Sequence, residues 1–149
     1  FSKAAKICSS KEKCRSEIER KLREWQIADD ELSGILDKLE SEQYIDEQRY
    51  ADAFVSDKFK INKWGKIKIH FALKERNIAD HIIMKAISNI KPSDYRETIE
   101  NELHSKKKQL KGLDIYQLKS KLIRFGQSKG FENEIVFTTV SELIKSRNV

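Results

Sequence analysis

The chain has 149 residues, of which 36% are charged and 38% hydrophobic, with one Pro, five Gly and a mean hydropathy of -0.68. Apolar residues recur at helical spacing throughout, which excludes disorder, and the scarcity of Pro and Gly favours helices on short connections over a strand-and-turn protein. A formal charge of +6 and a pI near 9.2 suit a polyanionic partner, while the lack of a bilayer-length apolar run or a signal sequence predicts a cytoplasmic protein without a membrane partner.

The first predicted helix is the short stretch around Ala4, Ala5 and Ile7. Because the chain opens on Phe1 rather than Met, an upstream segment is expected to be missing and this first element to be truncated. Cys8 and Cys14 are the only cysteines and read as small buried thiols rather than a disulfide. Then comes a pattern: Ile18, Leu22, Glu24, Ile27, Ala28, Asp29, Leu32, Leu36 and Leu39. It returns 51 residues later as Ile69, Leu73, Glu75, Ile78, Ala79, Asp80, Ile83, Ile87 and Ile90. A weaker third copy follows at a further 53 residues: Leu122, Phe131, Asn133, Val136, Val140 and Leu143. A fixed period of this length is the signature of a repeat architecture.

Each copy reads as helix, short turn, helix. Asp29, Asp80 and Asn133 stand where N-caps are expected, since their side chains can accept from the free amides of a first helical turn. The stripes Leu32, Leu36, Leu39, then Ile83, Ile87, Ile90, then Val136, Val140, Leu143 are predicted core. A further helix precedes the second copy, with Asp46 as its cap and Tyr50, Ala53 and Phe54 along it. Another precedes the third, started by Ser93 or Asp94 just after Pro92 and carrying Tyr95, Ile99 and Leu103. The unit therefore has three helices, and the repeats are expected at 1–44, 45–91 and 92–149. One such unit buries too little apolar surface alone, so the expectation is an all-α, elongated, curved array of three tandem three-helix repeats. Gly126 falls where the other copies have Leu22 and Leu73, so the third copy should be either looser there or approached by another backbone.

Catalytic chemistry finds no support. His70, His81 and His104 occupy unrelated positions in the repeat, without the ligand spacing of a metal site. Lys66 after Gly65 lacks the glycine spacing and the following Ser or Thr of a phosphate loop. Ser9 and Ser10 have no nucleophile-elbow context. The expectation is a protein with no cofactor, no metal and no enzymatic activity.

Binding is the better-supported theme. Trp64, Ile67 and Phe71 lie away from the core stripe of the second copy, where the first copy has Lys13, Ser16 and Arg20 and the third has Gln117, Ser120 and Arg124. They either pack between neighbouring units or contact a partner. Lys58, Lys60, Lys63, Lys66, Lys68, Lys74 and Arg76 cluster around the same helix, and Lys106, Lys107, Lys108, Lys111, Lys119, Lys121, Arg124 and Lys129 form a second basic group. Each lysine alone reads as solvated surface, but two such clusters together favour an anionic partner bound in a salt-sensitive way.

The segment Tyr44-Ile45-Asp46-Glu47-Gln48-Arg49-Tyr50-Ala51-Asp52-Ala53-Phe54-Val55 closely resembles the signature of the RecX family of bacterial recombination regulators. The resemblance continues through Lys63, Trp64, Gly65, Lys68 and Ile69, then through Lys121, Leu122, Arg124, Phe125, Lys129, Gly130 and Phe131, and covers nearly the whole chain in the correct order. It implies three-helix repeats, binding to the RecA recombinase in the groove of its filament on DNA, and modulation, chiefly inhibition, of recombinase activity in recombination and DNA repair. The implied partners are the RecA filament and single-stranded DNA within or beside it, with the protein itself a monomer. Arg49 is the signature residue with no evident packing role and joins the contact candidates, which are Arg49, Lys58, Lys60, Lys63, Trp64, Lys66, Lys68, Lys74, Arg76, Lys119, Lys121, Arg124 and Lys129. The alternative is a stand-alone helical DNA-binding module. Acids crowding the first copy, and the lack of a base-reading set of Arg, Asn and Gln, weigh against it.

Overall fold

The computed structural model describes residues 1–147, and the side chains of residues 1–145. The described residues form nine helices and no strand: α1 (Ser2–Ser10), α2 (Arg15–Glu24), α3 (Asp29–Ser41), α4 (Glu47–Lys60), α5 (Lys66–Glu75), α6 (Asp80–Ile87), α7 (Pro92–Gln109), α8 (Ile115–Ser128) and α9 (Asn133–Arg147). The expected all-α, three-helix repeat is what the chain builds.

The repeat is most visible at the ends of its middle helices. Gln26, Asn77 and Gly130 follow α2, α5 and α8, each with a left-handed backbone at φ 63°, 59° and 89°. Their amides donate to the carbonyls of Arg23, Lys74 and Gln127, each at 3.0 Å. The next amides, of Ile27, Ile78 and Phe131, reach back to the carbonyls of Leu22, Leu73 and Gly126 at 3.1, 3.2 and 3.2 Å. This pair of bonds is the Schellman motif, which satisfies carbonyls that a helix end would otherwise leave open. The same three-part stop therefore recurs at the same place in every copy.

The third helices start one residue earlier than expected. Ala28 is the N-cap of α3, and the carbonyls of Ala79 and Glu132 accept the first helical bonds of α6 and α9 from Ile83 and Val136. Asp29, Asp80 and Asn133 are consequently the first helical residues, not the caps. They gain from the positive end of the helix, and each ties back to the last turn of the middle helix. Arg23 pairs with Asp29 at 2.8 Å, Lys74 with Asp80 at 3.2 Å, and Gln127 Nε2 donates to Asn133 Oδ1 at 3.2 Å. Such exposed contacts contribute at most about 1 kcal/mol each. Likewise α7 begins at Pro92 behind an extended Lys91, ahead of both Ser93 and Asp94. Proline suits a first helical position because its missing amide has no partner there and its φ is already helical. Asp46 does cap α4, its Oδ1 accepting from the Arg49 amide at 2.9 Å.

The chain separates into two compact units, residues 1–55 with 72–87, and residues 56–71 with 88 onward. The first has a core of Ala4, Ala5, Cys8, Ile18, Leu22, Leu32, Leu36, Leu39 and Ile45, with Ile83 and Ile87 also buried. Cys8 and Cys14 are both buried and free. In the second unit α7, α8 and α9 pack on one another around Tyr95, Ile99, Leu103, Leu118, Leu122, Phe131, Val136 and Val140, all buried. Ile90 is buried in the turn after α6, and Leu143 is only half-buried.

Gly126 resolves differently from either expectation. A Cβ there would lie 2.8 and 2.9 Å from the two methyl carbons of Val136. The space is filled by a side chain of α9 rather than by a backbone or a void, so the third copy is closely packed at this point. A closer backbone approach occurs elsewhere in the same unit. Gly65, before α5, faces Gly130, and a Cβ on Gly65 would stand 2.3 Å from the Gly130 carbonyl carbon. The two strands of backbone are joined by Gly65 N to Lys129 O at 2.6 Å and Ile67 N to Gly130 O at 3.0 Å. Below this crossing, Tyr95 accepts from the Lys66 amide at 3.0 Å, donates to Glu132, and packs its ring 5.9 Å from Phe59 and 6.0 Å from Phe131.

Candidate interaction surfaces

Three of the basic candidates have their charge committed within the fold. Arg49 Nε pairs with Glu12 at 2.5 Å while its Nη2 donates to the Gln43 carbonyl at 3.1 Å, so it braces the turn before α4. Lys129 is anchored between Glu102 at 3.3 Å and the Asn62 carbonyl at 2.7 Å. Lys74 pairs with Asp80 as described above. Arg76 lies over the Phe54 ring, 4.9 Å from its centroid, and donates to the Ala72 carbonyl at 2.8 Å. With Ser16, Glu17, Arg20 and Glu75 it lines a cleft of mixed charge in the first unit.

Trp64 is half-buried rather than fully turned outward. Lys58 and Lys68 place their ammonium groups over its ring, at 4.8 and 4.6 Å from the centroid. Each such contact contributes roughly 0.5–1 kcal/mol at an exposed site. Lys66 covers the Tyr95 ring in the same way at 4.5 Å. Lys60 and Lys63 are exposed, and Lys63 takes a left-handed backbone (φ 59°) in the connection from α4 to α5. Ile67 and Phe71, one turn apart on α5, are 53% and 65% exposed. More than half of each side chain is therefore open to solvent.

Of the second basic group, Lys106 covers the Phe125 ring and Lys107 donates to the Leu143 carbonyl, whereas Lys119 and Arg124 lie on the outward face of α8. Tyr116, Lys119, Ser120, Ile123, Arg124 and Gln127 line one shallow groove there. They recur at the three- and four-residue spacing of a single helical face. Tyr116 is 85% exposed, Lys119, Lys121 and Arg124 are exposed, and Ile123 is half-buried. The Asp114 side chain caps the helix, accepting from the Gln117 amide at 2.8 Å. Tyr116 and Ile123 were not evident from the basic pattern. Their sequence signal is an aromatic and an aliphatic residue outside the phase of the buried Leu118 and Leu122 on the same helix.

The signature segment also carries an electrostatic oddity. Glu47 Oε1 accepts weakly from the Arg15 amide at 3.4 Å, while its buried Oε2 has no partner. Burial, opposed by that amide, raises the carboxyl from 4.5 to about 7. Arg15 itself is held by Glu40 at 2.6 Å and Asp37 at 3.0 Å.

Two family models match the chain in tandem: "RecX, second three-helix domain" over residues 46–87 and "RecX, third three-helix domain" over residues 82–140. The chain belongs to the RecX family. A regulatory protein RecX from Clostridium botulinum (strain Eklund 17B) is 31% identical over 121 residues, 78% of this chain and 55% of that protein. One from Clostridium perfringens (strain 13) is 27% identical over 135 residues, 88% of this chain and 62% of that protein. The chain thus spans little more than half the length of these relatives. The fold is shared with the crystal structure of RecX from Lactobacillus salivarius (TM-score 0.82, 24% identity, 95% of each chain). A second RecX crystal structure matches with a TM-score of 0.84 at 23% identity, covering 97% of this chain and 71% of that one. Within this RecX chain, the segments that carry the resemblance have structural work. Lys63-Trp64-Gly65 and Lys129-Gly130-Phe131 meet at the glycine crossing, and Asp46 and Arg49 cap and brace α4.

Proposed function

We propose that this protein regulates homologous recombination and DNA repair by binding the RecA recombinase on its DNA filament and holding back recombinase activity. The observation that carries the reading is RecX membership through two consecutive domains, residues 46–140. The surface is consistent with action by contact. Ile67 and Phe71 present an apolar pair that a protein partner could cover, contributing roughly 2–4 kcal/mol if both were fully buried. Lys60 and Lys63 are exposed near these in sequence, and the α8 face adds further cations. We take the repeating units as 1–44, 45–91 and 92–149, acting in the cytoplasm as a monomer, with the filament and its single-stranded DNA as partners. The test is RecA ATP hydrolysis and strand exchange on single-stranded DNA with the purified protein added. Both should fall as the protein is titrated. Unchanged rates at saturating protein would overturn the reading.

A further inference from the structure

The three copies place different chemistry on the outward face of the middle helix. Position for position, Arg15, Lys66 and Lys119 are equivalent, as are Arg20, Phe71 and Arg124. In the first copy the cations of this helix are largely neutralised, Arg15 by Glu40 and Asp37, and Arg23 by Glu19 and Asp29. In the second, Lys66 lies on an aromatic ring. In the third, Lys119, Lys121 and Arg124 have no carboxylate within ion-pair distance among the described residues, and no acid lines the groove. Lys119 and Arg124 line the one groove, where like charges repel and a bound anion relieves that repulsion.

We propose that the outward face of α8 binds single-stranded nucleic acid directly, with Tyr116 as the stacking platform for a base and Lys119 and Arg124 as phosphate contacts. Three observations select this occupant. First, the charge is of one sign and unpaired. Second, Tyr116 is almost fully exposed at one end of the same face, and an open aromatic ring accepts an unpaired base but not one stacked inside a duplex. Third, the dimensions fit. From Tyr116 to Gln127 the helix rises about 16 Å, the length of about five nucleotides at the 3.4 Å rise of one strand. Ser120, exposed, lines the same groove as the two cations, and a serine hydroxyl can donate to a phosphate oxygen. The proposal deepens the regulatory reading by naming what this face holds, and it rests on that reading only for the choice of DNA as the natural strand.

The test uses the full chain without recombinase, and follows fluorescence anisotropy of a labelled oligothymidine of about 15 nucleotides as salt is varied. Binding is expected, tighter than to a duplex of equal length. Tyr116→Ala should weaken it about 5- to 150-fold, the range for loss of one base–aromatic stack, while Tyr116→Phe should retain it. Lys119→Ala with Arg124→Ala should lower the salt slope by about 1.4, two phosphates at about 0.7 each on a single strand. All these side chains are exposed, so unchanged thermal unfolding is the control for folding. Wild-type affinity in Tyr116→Ala, or a preference for duplex, would overturn the proposal. So would a double variant that loses recombinase inhibition yet binds the oligonucleotide normally, since the face would then meet acidic protein instead. Failure of the unsubstituted chain to bind the oligonucleotide while it still inhibits would sink this proposal alone; oligonucleotide binding by the unsubstituted chain without any inhibition would sink the RecA reading alone.

Discussion

Replacing Gly65 by Ala isolates the backbone crossing that joins the two RecX signature segments of the second unit. The new methyl would sit 2.3 Å from both the carbon and the oxygen of Gly130 and 2.4 Å from the Phe131 nitrogen. No side chain can yield, because every atom in the way is backbone, so the segments must part by about 1 Å to restore ordinary contact. That separation breaks the Gly65–Lys129 and Ile67–Gly130 bonds, at about 1 kcal/mol each with more if the freed groups stay dry, and loosens Tyr95 against Phe131. The sum is about 2–5 kcal/mol, or a fall in Tm of roughly 5–20 °C for a chain of this size. Thermal and urea unfolding followed by circular dichroism measure it. Gly34→Ala is the matched control. Gly34 is exposed in α3 with nothing within 4 Å of its Cβ position, so alanine there should stabilise by up to about 1 kcal/mol through helix propensity. If Gly65→Ala falls within about 0.5 kcal/mol of wild type, the crossing is not the constraint described.

Glu47 predicts a pH dependence. Its folded carboxyl sits near 7 against 4.5 unfolded, so the folded state holds the proton more tightly, and this contribution, full below the unfolded value, is lost as pH rises through 7. The shift corresponds to about 3 kcal/mol, which partial solvent access reduces to about 1–2 kcal/mol. Glu47→Gln should therefore raise the urea midpoint at about pH 8 more than at about pH 5; an equal change at both would contradict the account. Asp114→Ala removes the capping box of α8 and should cost about 1 kcal/mol, read as a lower Tm that Asp114→Asn largely restores. Phe71→Asp, on an exposed position, should leave Tm within about 2 °C but, under the proposed function, weaken inhibition of RecA strand exchange at least tenfold; undiminished inhibition would remove the apolar pair from the proposed partner surface.

The repeat was legible because its determinants are local and periodic. Ile18, Leu22 and Leu32 and their counterparts at offsets of 51 and 53 mark buried faces directly. The starts of the third helices of the copies were legible to within one residue. The error had a common cause: the Schellman turn uses up a left-handed residue and an apolar one, leaving Ala28 as the extended cap and pushing Asp29 into the first turn. What pattern could not supply were contacts between residues distant in sequence. Nothing local marks Gly65 as closed to a side chain, because the backbone that fills the space of its Cβ belongs to Gly130 and Phe131, while at Gly130 it is Lys68 and a left-handed φ of 89° that exclude one. Arg49 and Lys129 looked like free cations because Glu12 and Glu102 are 37 and 27 residues away. The opposite holds for Tyr116, whose exposure shows only once the α8 face it occupies is known.

The recurring helix stop has a consequence for how such a chain can diversify. Its bonds run from backbone amides to backbone carbonyls, and Gln, Asn and Gly all serve at the left-handed position. The joint therefore places almost no demand on the side chains of the helix face turned to solvent. Duplication copies the joint, and each copy is then free to drift on that face at little cost to folding. One has acquired internal salt links, another an isoleucine and a phenylalanine, the third a tyrosine among unpaired cations. A substitution exchanged between equivalent positions, such as Phe71→Arg, should thus transplant a surface chemistry from one copy to another while the helices beneath it stay as they are.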